Sequence, residues 1–382
     1  MRASSKDYTA EGLRGLAALN VFFSHFFLTF FPLGFTNLFP GLQKSAAADG
    51  AMEHFLRLPF LSILWNGNFA VCVFFVLSGY VLSKPYYDGR RMDALRDRYL
   101  KRYFRLSIPI AASVFLGWAL LTAGTLQHLK AAGISHSDWL TTYLVFPGTF
   151  WEAVKDALYR VIFLGEFRFN PPLWTMRVEF IGSLIIFAFY ALMPEGRKRK
   201  ILHYTIALVS LGLLTGSDAV YYYAFLAGAA LWNGRAPRRL AWVLLACGWY
   251  LGAFQFDAWY NWLPVVSQAI PSWDVKAFYN VLGAIALFAA LRSGVADKLL
   301  ASSAGRTLGR LSFSLYLTHF FVICTFSSWF FVTFIGRWSR ALVSSVDFVL
   351  SLALLLIVAW LFERLVDRPG IGLSQRIVMK TP

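Results

Sequence analysis

Long apolar stretches separated by short polar segments follow one another along the whole chain. Most approach the roughly 20 residues that an α-helix needs to cross the hydrocarbon core of a bilayer. The pattern predicts an all-α integral membrane protein with about ten transmembrane helices. The predicted spans are residues 12–35, 60–83, 107–127, 173–193, 201–216, 219–234, 238–256, 275–292, 308–332 and 342–362.

Composition and charge also favour a membrane protein. The chain is 58% hydrophobic and 15% charged, whereas soluble domains carry about 25% charged residues. The net charge of +16 could suit a nucleic-acid ligand, but most of the 36 lysines and arginines lie at the ends of the spans that the predicted topology places in the cytoplasm, as the positive-inside rule requires. We therefore predict a multi-pass protein of the plasma (inner) membrane, with both termini in the cytoplasm and no nucleic-acid partner.

The chain has no polar stretch long enough for a soluble domain, so residues 1–382 are predicted to form a single membrane-embedded domain without a soluble extracytoplasmic domain. The longest outer segment, about Gln127 to Pro172, contains an apolar piece from Trp139 to Phe150 that is too short to span. We expect this piece to be re-entrant or interfacial. All three cysteines fall within predicted spans, which argues against a disulfide framework and a cysteine-based zinc site.

Two ionisable residues share the first predicted span. Arg14 and His25 are eleven positions apart, so a helix puts their side chains on nearly the same face, about 16 Å apart along its axis. Ionisable groups inside membrane helices usually face the protein interior and often mark a path for reaction or transport. His25 is therefore the first candidate catalytic residue, and a packed helix whose histidine bonds a neighbour is the alternative.

A carboxylate in the fourth predicted span is the second candidate. Glu179 follows two prolines and Trp174 at the outer end of this span, and it lies about 9 Å into the helix. A carboxylate in a membrane helix needs a partner, and His25, about 20 Å from the inner end of its own helix, is expected at a similar depth. These depths predict a His25–Glu179 pair that acts as a general base.

Basic residues recur at helical spacing just before the third predicted span, at Arg98, Lys101, Arg102 and Arg105. Such a run commonly determines topology and contacts anionic lipid. A pair of arginines can also hold a phosphate group bidentately. Charge alone leaves these two roles open.

Two further stretches place polar groups inside predicted spans. In the sequence FFVLSGY, Ser78 and Gly79 suit a close approach of helices, and Ser78 has no local base that would make it a nucleophile. His319 lies about 15 Å into the ninth span. Two histidines in mid-membrane are hard to explain by packing.

Aromatic residues are frequent in one outer loop. Trp259, Tyr260, Trp262 and Trp273 all fall there. They could form the interfacial aromatic belt of a membrane protein or stack on sugar rings, and the sequence leaves both roles open.

Taken in order, these stretches resemble the membrane acyltransferase family 3, which are integral O-acyltransferases that modify sugars of cell-surface and secreted glycans. The resemblance extends from Tyr8 to Pro369 and rests on the ordered set of motifs rather than on any one of them. The matching stretches are RGxAxxxV at 14–21 followed by His25, FFVLSGY at 74–80, RxxR at 102–105 followed by Ile108-Pro109, LWTxxxE at 173–179, LGxxSxxLYLxH at 308–319 and ERLVDRP at 363–369. Arg177 stands where the family has an apolar residue.

The resemblance implies an acyl-CoA donor that enters from the cytoplasm and a glycan acceptor on the outer side. Its matching positions make His25 the catalytic histidine, and the pairing expected from helix depth would let Glu179 orient it. The expected donor is acetyl-CoA, which the family uses most commonly, and it is a substrate. Neither a permanently bound cofactor nor a metal is expected. The residues expected to bind acyl-CoA are Arg14, Arg102 and Arg105, and those expected to line the site are Ser78, Trp174, Tyr316 and His319.

Several alternatives stay open on the sequence. Intramembrane His, Glu and Arg residues also form proton relays, so a proton-coupled transporter of a small anionic or sugar substrate is the main rival. A lipid- or protein-directed membrane O-acyltransferase and an inactive homologue are the others. Because no extracytoplasmic domain is expected, the membrane domain would complete the transfer itself or hand over to a separate extracytoplasmic transferase or glycan-export partner.

Overall fold

The computed structural model describes residues 7–45, 49–89, 95–262 and 274–379. Every regular element in these ranges is helical, which confirms the predicted all-α class. Trp273 lies outside the described residues. The helices are α1 (Tyr8–Phe30), α2 (Ala51–Leu56), α3 (Gly67–Tyr87), α4 (Leu95–Thr122), α5 (His128–Ser135), α6 (Phe150–Lys155), α7 (Trp174–Ala191), α8 (Arg197–Thr215), α9 (Ala219–Ala230), α10 (Arg238–Gly252), α11 (Val275–Leu291), α12 (Asp297–Leu300), α13 (Ser303–Val322), α14 (Ser328–Phe334), α15 (Arg340–Phe362) and α16 (Arg368–Met379).

Each predicted span contains a helix, although the boundaries differ. Within the described part of the chain, seven helical segments are long and apolar enough to cross a membrane, so the protein is a multi-pass membrane protein. The total number of spans and the side on which the termini lie stay predictions. The largest shift in a boundary is at α4, which begins at Leu95 and therefore contains Arg102 and Arg105 rather than following them.

The two shortest predicted spans form a helical hairpin. The hydroxyl of Tyr223 in α9 donates a hydrogen bond of 2.9 Å to the carbonyl of Leu208 in α8. In one straight helix these residues would lie about 22 Å apart, so the chain must reverse between them. The reversal passes through Gly216, whose φ of +56° favours glycine.

The centre of the bundle is α3, which contacts α1, α7, α9 and α11. Most of its side chains are buried, as expected for a helix that is apolar on all sides. Around it, α1 packs along α13, and α4 packs against α7 and α16. Helices α1, α4, α7 and α13 therefore meet on one side of α3, where the polar motifs come together.

The crossing of α3 and α9 depends on two glycines. A Cβ atom on Gly79 would lie 1.9 Å from the carbonyl oxygen of Phe225, and one on Gly228 would lie 2.0 Å from that of Val76. Small residues allow such a close approach of helix backbones in membranes. The crossing fixes the position of Ser78, the neighbour of Gly79.

We expect Gly79→Ala to lower the free energy of unfolding by about 1–3 kcal/mol, because the added methyl group forces α3 and α9 apart. The midpoint of thermal unfolding in detergent would measure the change. Gly133→Ala is the matched control, since a Cβ atom on Gly133 has no neighbour within 4 Å. Equal midpoints for the two variants would show that the crossing adapts without cost.

The segment predicted to be re-entrant or interfacial consists mainly of turns and irregular chain. Between Trp139 and Phe150 it contains only a 3₁₀ turn, at Leu140–Thr142. Trp139, Leu140 and Leu144 are buried and belong to the apolar cluster around α1 and α13. In the aromatic loop at 257–262, Tyr260 is buried, whereas Trp259 and Trp262 are exposed.

Candidate active site

A cavity of about 250 Å³ lies among α1, α3, α4, α7 and α13. One part of its wall is apolar, with Val71, Phe74, Leu106 and Met176 among its residues. The polar lining residues are Arg14, Ser78, Arg102, Arg105, Thr175, Glu179, Ser312 and Tyr316. Most of the residues predicted to form the site, from five separate helices, thus line one space.

Glu179 lies at the centre of the polar part of this cavity. Its carboxylate accepts a hydrogen bond of 2.7 Å from the hydroxyl of Ser78 and forms an ion pair with Arg102. The Nε of Arg102 also donates to the hydroxyl of Ser183, at 2.8 Å, and that hydroxyl donates to the carbonyl of Glu179, at 2.6 Å. The network holds α3, α4 and α7 together through one carboxylate.

The three arginines of the cavity differ in how they are paired. Arg102 is paired with Glu179, and Arg105 forms an ion pair with Asp367, in the helical turn before α16. Arg14 of α1 has no hydrogen bond or ion pair with any described residue. Three guanidinium groups and one carboxylate line the cavity, so its potential is positive and favours an anionic ligand.

His25 and His319 form a direct pair at the contact of α1 and α13. The Nδ1 of His25 lies 2.8 Å from the Nε2 of His319, and the ring centroids are 5.0 Å apart. The Nδ1 of His319 lies 2.8 Å from the carbonyl oxygen of Tyr316. His319 is fully buried, whereas His25 is partly exposed. Neither histidine lines the cavity, but Tyr316, whose carbonyl bonds His319, does.

The predicted contact between His25 and Glu179 is wrong. The ring of His25 bonds His319, whereas Glu179 bonds Ser78 and Arg102. The prediction assumes that the helix of Glu179 starts at the membrane surface. In the structure, the turn Pro171–Leu173 before α7 is completely buried, so the helix begins inside the protein. A catalytic role of Glu179 stays a prediction.

The sequence interpretation missed Trp139, which packs on His25. The indole and imidazole centroids are 4.9 Å apart with the ring planes at 32°. The segment is fixed to α1 by the hydroxyl of Ser137, which donates to the carbonyl of Leu28 at 2.9 Å. The apolar character of the segment was the available signal, but nothing in it pointed to a particular histidine.

The loop around Trp139 is also fixed to the loop that contains Lys44 and Ser45. The carboxylate of Asp138 accepts hydrogen bonds from the hydroxyl and amide of Ser45 and from the amide of Lys44. These bonds lower the pKa of Asp138, so the anchor is ionised at neutral pH. Two residues near it, His136 and Leu144, have positive φ values of 57° and 55°, which cost energy outside glycine.

Trp174 lies outside the cavity lining, contrary to the sequence prediction. Its ring packs on Tyr221, with centroids 5.9 Å apart. Its neighbour Thr175 lines the cavity instead, and the hydroxyls of Thr175 and Tyr316 are 2.8 Å apart. Among the described residues, no group of three His, Cys, Asp or Glu side chains could hold a metal ion.

Comparison with known proteins identifies the family. The acyltransferase 3 family, described as an acyltransferase domain, matches residues 7–364. The chain belongs to this family. The protein is therefore a membrane acyltransferase, and the rival interpretation as a transporter is not favoured.

Named relatives agree with this assignment. Acyltransferase R4 from Phoma sp. is 22% identical, over 98% of this chain and 96% of its own length. Acyltransferase clz18 from Cochliobolus lunatus is 23% identical, over 96% of this chain and 95% of its own. The O-acetyltransferase PaAT-1 from Phomopsis amygdali is 27% identical, over 53% of this chain and 43% of its own. No solved structure matches the acyltransferase.

Proposed function

We propose that the acyltransferase moves an acyl group from cytoplasmic acyl-CoA to a sugar hydroxyl of a surface or exported glycan, such as a lipopolysaccharide or an exopolysaccharide. The observation that carries the proposal is the cavity, which is lined by three arginines and by Tyr316, whose backbone carbonyl bonds His319 of the histidine pair. We further propose that the protein lies in the plasma (inner) membrane with both termini in the cytoplasm.

The polar end of the cavity suits the phosphates of coenzyme A. Guanidinium groups bind phosphate through paired, charge-assisted hydrogen bonds, and Arg14, Arg102 and Arg105 supply three of them. The apolar wall suits the pantetheine arm. That arm is on the order of the 16 Å that the helix rise gives between Arg14 and His25, so the thioester would lie near the imidazole.

The chemistry proposed for His25 is general-base catalysis. Its imidazole takes the proton of the acceptor hydroxyl while the hydroxyl oxygen forms a bond to the carbonyl carbon of the thioester. The carbon–sulfur bond then breaks, and coenzyme A leaves as a thiol with the proton that His25 held. A covalent acyl-histidine intermediate is the second choice. Glu179 forms an ion pair with Arg102, and we propose that it holds this donor-binding arginine in place.

The acyl group proposed is acetyl, which the name of the O-acetyltransferase relative supports. The glycan acceptor rests on the resemblance of the motifs to glycan-modifying enzymes. A separate extracytoplasmic transferase or a glycan-export protein is a proposed partner if transfer is not completed in the membrane domain.

Labelled acetyl-CoA tests the proposed function. Membranes that contain the acyltransferase and membranes without it are incubated with acetyl-CoA labelled in the acetyl group, and the glycan fraction is isolated. We expect base-labile label in the glycan only when the enzyme is present, because oxygen esters are cleaved by base. Absence of label with acetyl-, succinyl- and longer acyl-CoA donors would contradict the proposal.

We expect Arg14→Gln to raise the KM for acetyl-CoA about 10-fold or more, because it removes a charge-assisted hydrogen bond worth about 1.5–3 kcal/mol. The KM for S-acetylpantetheine, which lacks the phosphates, should change little. The ratio of the two KM values measures the phosphate contact directly. Arg239→Gln, which changes an exposed arginine outside the cavity, should leave both values unchanged.

An equal rise of both KM values in Arg14→Gln would contradict phosphate binding at Arg14 and point to general damage to the cavity. If Arg239→Gln raises the KM for acetyl-CoA as much as Arg14→Gln does, the rise reflects the overall charge of the protein rather than a contact in the cavity.

A further inference from the structure

We propose that His319 is a positioning residue that holds His25 in one tautomer, with its proton on Nδ1 and its free lone pair on Nε2. His319 acts through His25, so the proposal rests on the proposed function. Its basis is a chain of two hydrogen bonds, from His25 to His319 and from His319 to a backbone carbonyl.

The chain begins at the carbonyl of Tyr316. A carbonyl oxygen can only accept a hydrogen bond, so the Nδ1 of His319, 2.8 Å away, must carry a proton. The carbonyl of Leu315, at 3.3 Å from the same nitrogen, also only accepts. A neutral histidine carries one ring proton, which leaves the Nε2 of His319 as an acceptor.

The second bond follows from the first. The Nε2 of His319 lies 2.8 Å from the Nδ1 of His25, and an acceptor at that distance requires a proton on the facing nitrogen. His25 therefore donates through Nδ1, and its Nε2 keeps a lone pair that can take a proton from a hydroxyl. The opposite tautomer would set two lone pairs against each other at this distance.

Packing holds both rings in this orientation. His319 is fully buried, so water does not compete for its Nε2. The indole of Trp139 covers one side of His25, and Phe320 meets the ring edge-on, with centroids 6.3 Å apart. His25 as a whole residue is half-buried.

This arrangement performs the orienting task that an aspartate performs in serine hydrolases, where the loss of that carboxylate leaves the histidine in the wrong tautomer. A carboxylate is costly inside a membrane unless it is paired. A neutral imidazole anchored to a helix carbonyl gives the same directional information without a buried charge.

Two amide substitutions distinguish the contributions of the two ring nitrogens of His319. In His319→Gln, the amide oxygen can occupy the place of Nε2 and accept from His25, while the amide NH₂ faces the carbonyl of Tyr316. In His319→Asn, the shorter side chain reaches only the place of Nδ1, so the acceptor that faces His25 is lost. Both variants keep a polar amide in the same buried space.

We expect His319→Asn to lower kcat by at least about 100-fold, as for a misplaced catalytic group, with the KM for acetyl-CoA nearly unchanged. His319→Gln should stay within about 10-fold of the wild-type kcat, which corresponds to one weakened hydrogen bond. Detergent-solubilised protein is used, and gel-filtration elution and the thermal unfolding midpoint show that each variant is folded. His25→Ala is measured in parallel.

Equal kcat values for folded His319→Gln and His319→Asn, whether both high or both low, would overturn the positioning role, since packing alone does not distinguish the two amides in this order. A loss seen mainly in KM would also overturn it. If His25→Ala retains activity, the proposed role of His25 fails instead, and the two failures are distinguishable.

Discussion

Replacing His25 with alanine is expected to lower the rate of acyl transfer by about 10²–10⁴, the range for the loss of a general base. Binding of acetyl-CoA should change little, because His25 is not among the residues that line the arginine-rich cavity. Single-turnover transfer of labelled acetyl groups to the glycan measures the rate of the chemical step. Equilibrium binding of acetyl-CoA to the purified protein measures the affinity for the donor.

His54→Ala is the matched control, because the His54 side chain is exposed and lies on α2. It should transfer acetyl groups at the wild-type rate. Near-normal transfer by a folded His25→Ala variant would rule out His25 as base and as nucleophile. A large rise in the dissociation constant of acetyl-CoA would assign His25 to donor binding instead.

Glu179→Ala is expected to destabilise the protein by about 3–5 kcal/mol, because it leaves the buried guanidinium of Arg102 without its counter-charge. The side chains of this pair are only 17% and 13% exposed. Glu179→Gln keeps an oxygen that can accept from Ser78 and Arg102, so its loss should be smaller. Thermal unfolding in detergent ranks the two variants against the wild type.

The ion pair of Glu152 with Arg168 supplies the comparison, since both side chains are 32% exposed. Pairs at this exposure contribute little to stability. Glu152→Ala also removes one side chain of the capping box of α6, so we expect it to cost no more than about 1 kcal/mol. If Glu179→Ala unfolds at the same temperature as Glu152→Ala, the carboxylate of Glu179 does not compensate the charge of Arg102.

The helices could be predicted from the sequence because the length of an apolar stretch is a local property. The boundary of α4 could not, since its cations continue the helix beyond the apolar part, where hydropathy gives no signal. The family could also be predicted, because its motifs are short and occur in a characteristic order. Arg14, Arg102, Arg105 and Glu179 line one cavity, and their roles in binding and catalysis stay predictions.

The partners of the site residues could not be predicted. His25 and His319 are 294 positions apart in the sequence. Helical periodicity shows which face of a helix carries a residue, but not which other helix packs against that face. Depth was equally uncertain for Glu179, since a helix that starts inside the protein cannot be told from one that starts at the membrane surface. Trp139 lies on a loop, and loop conformation depends on contacts such as those of Asp138.

The two histidines lie on helices, whereas Trp139, which packs on His25, lies on a loop. Helices α1 and α13 carry His25 and His319, whereas Trp139 comes from a loop with strained residues on either side of it. Loops tolerate changes of length and sequence that packed helices do not. Evolution can therefore change the loop around the reactive nitrogen of His25 without changing the orientation of its ring. The residues that recognise the acceptor and those that perform the reaction can thus vary independently.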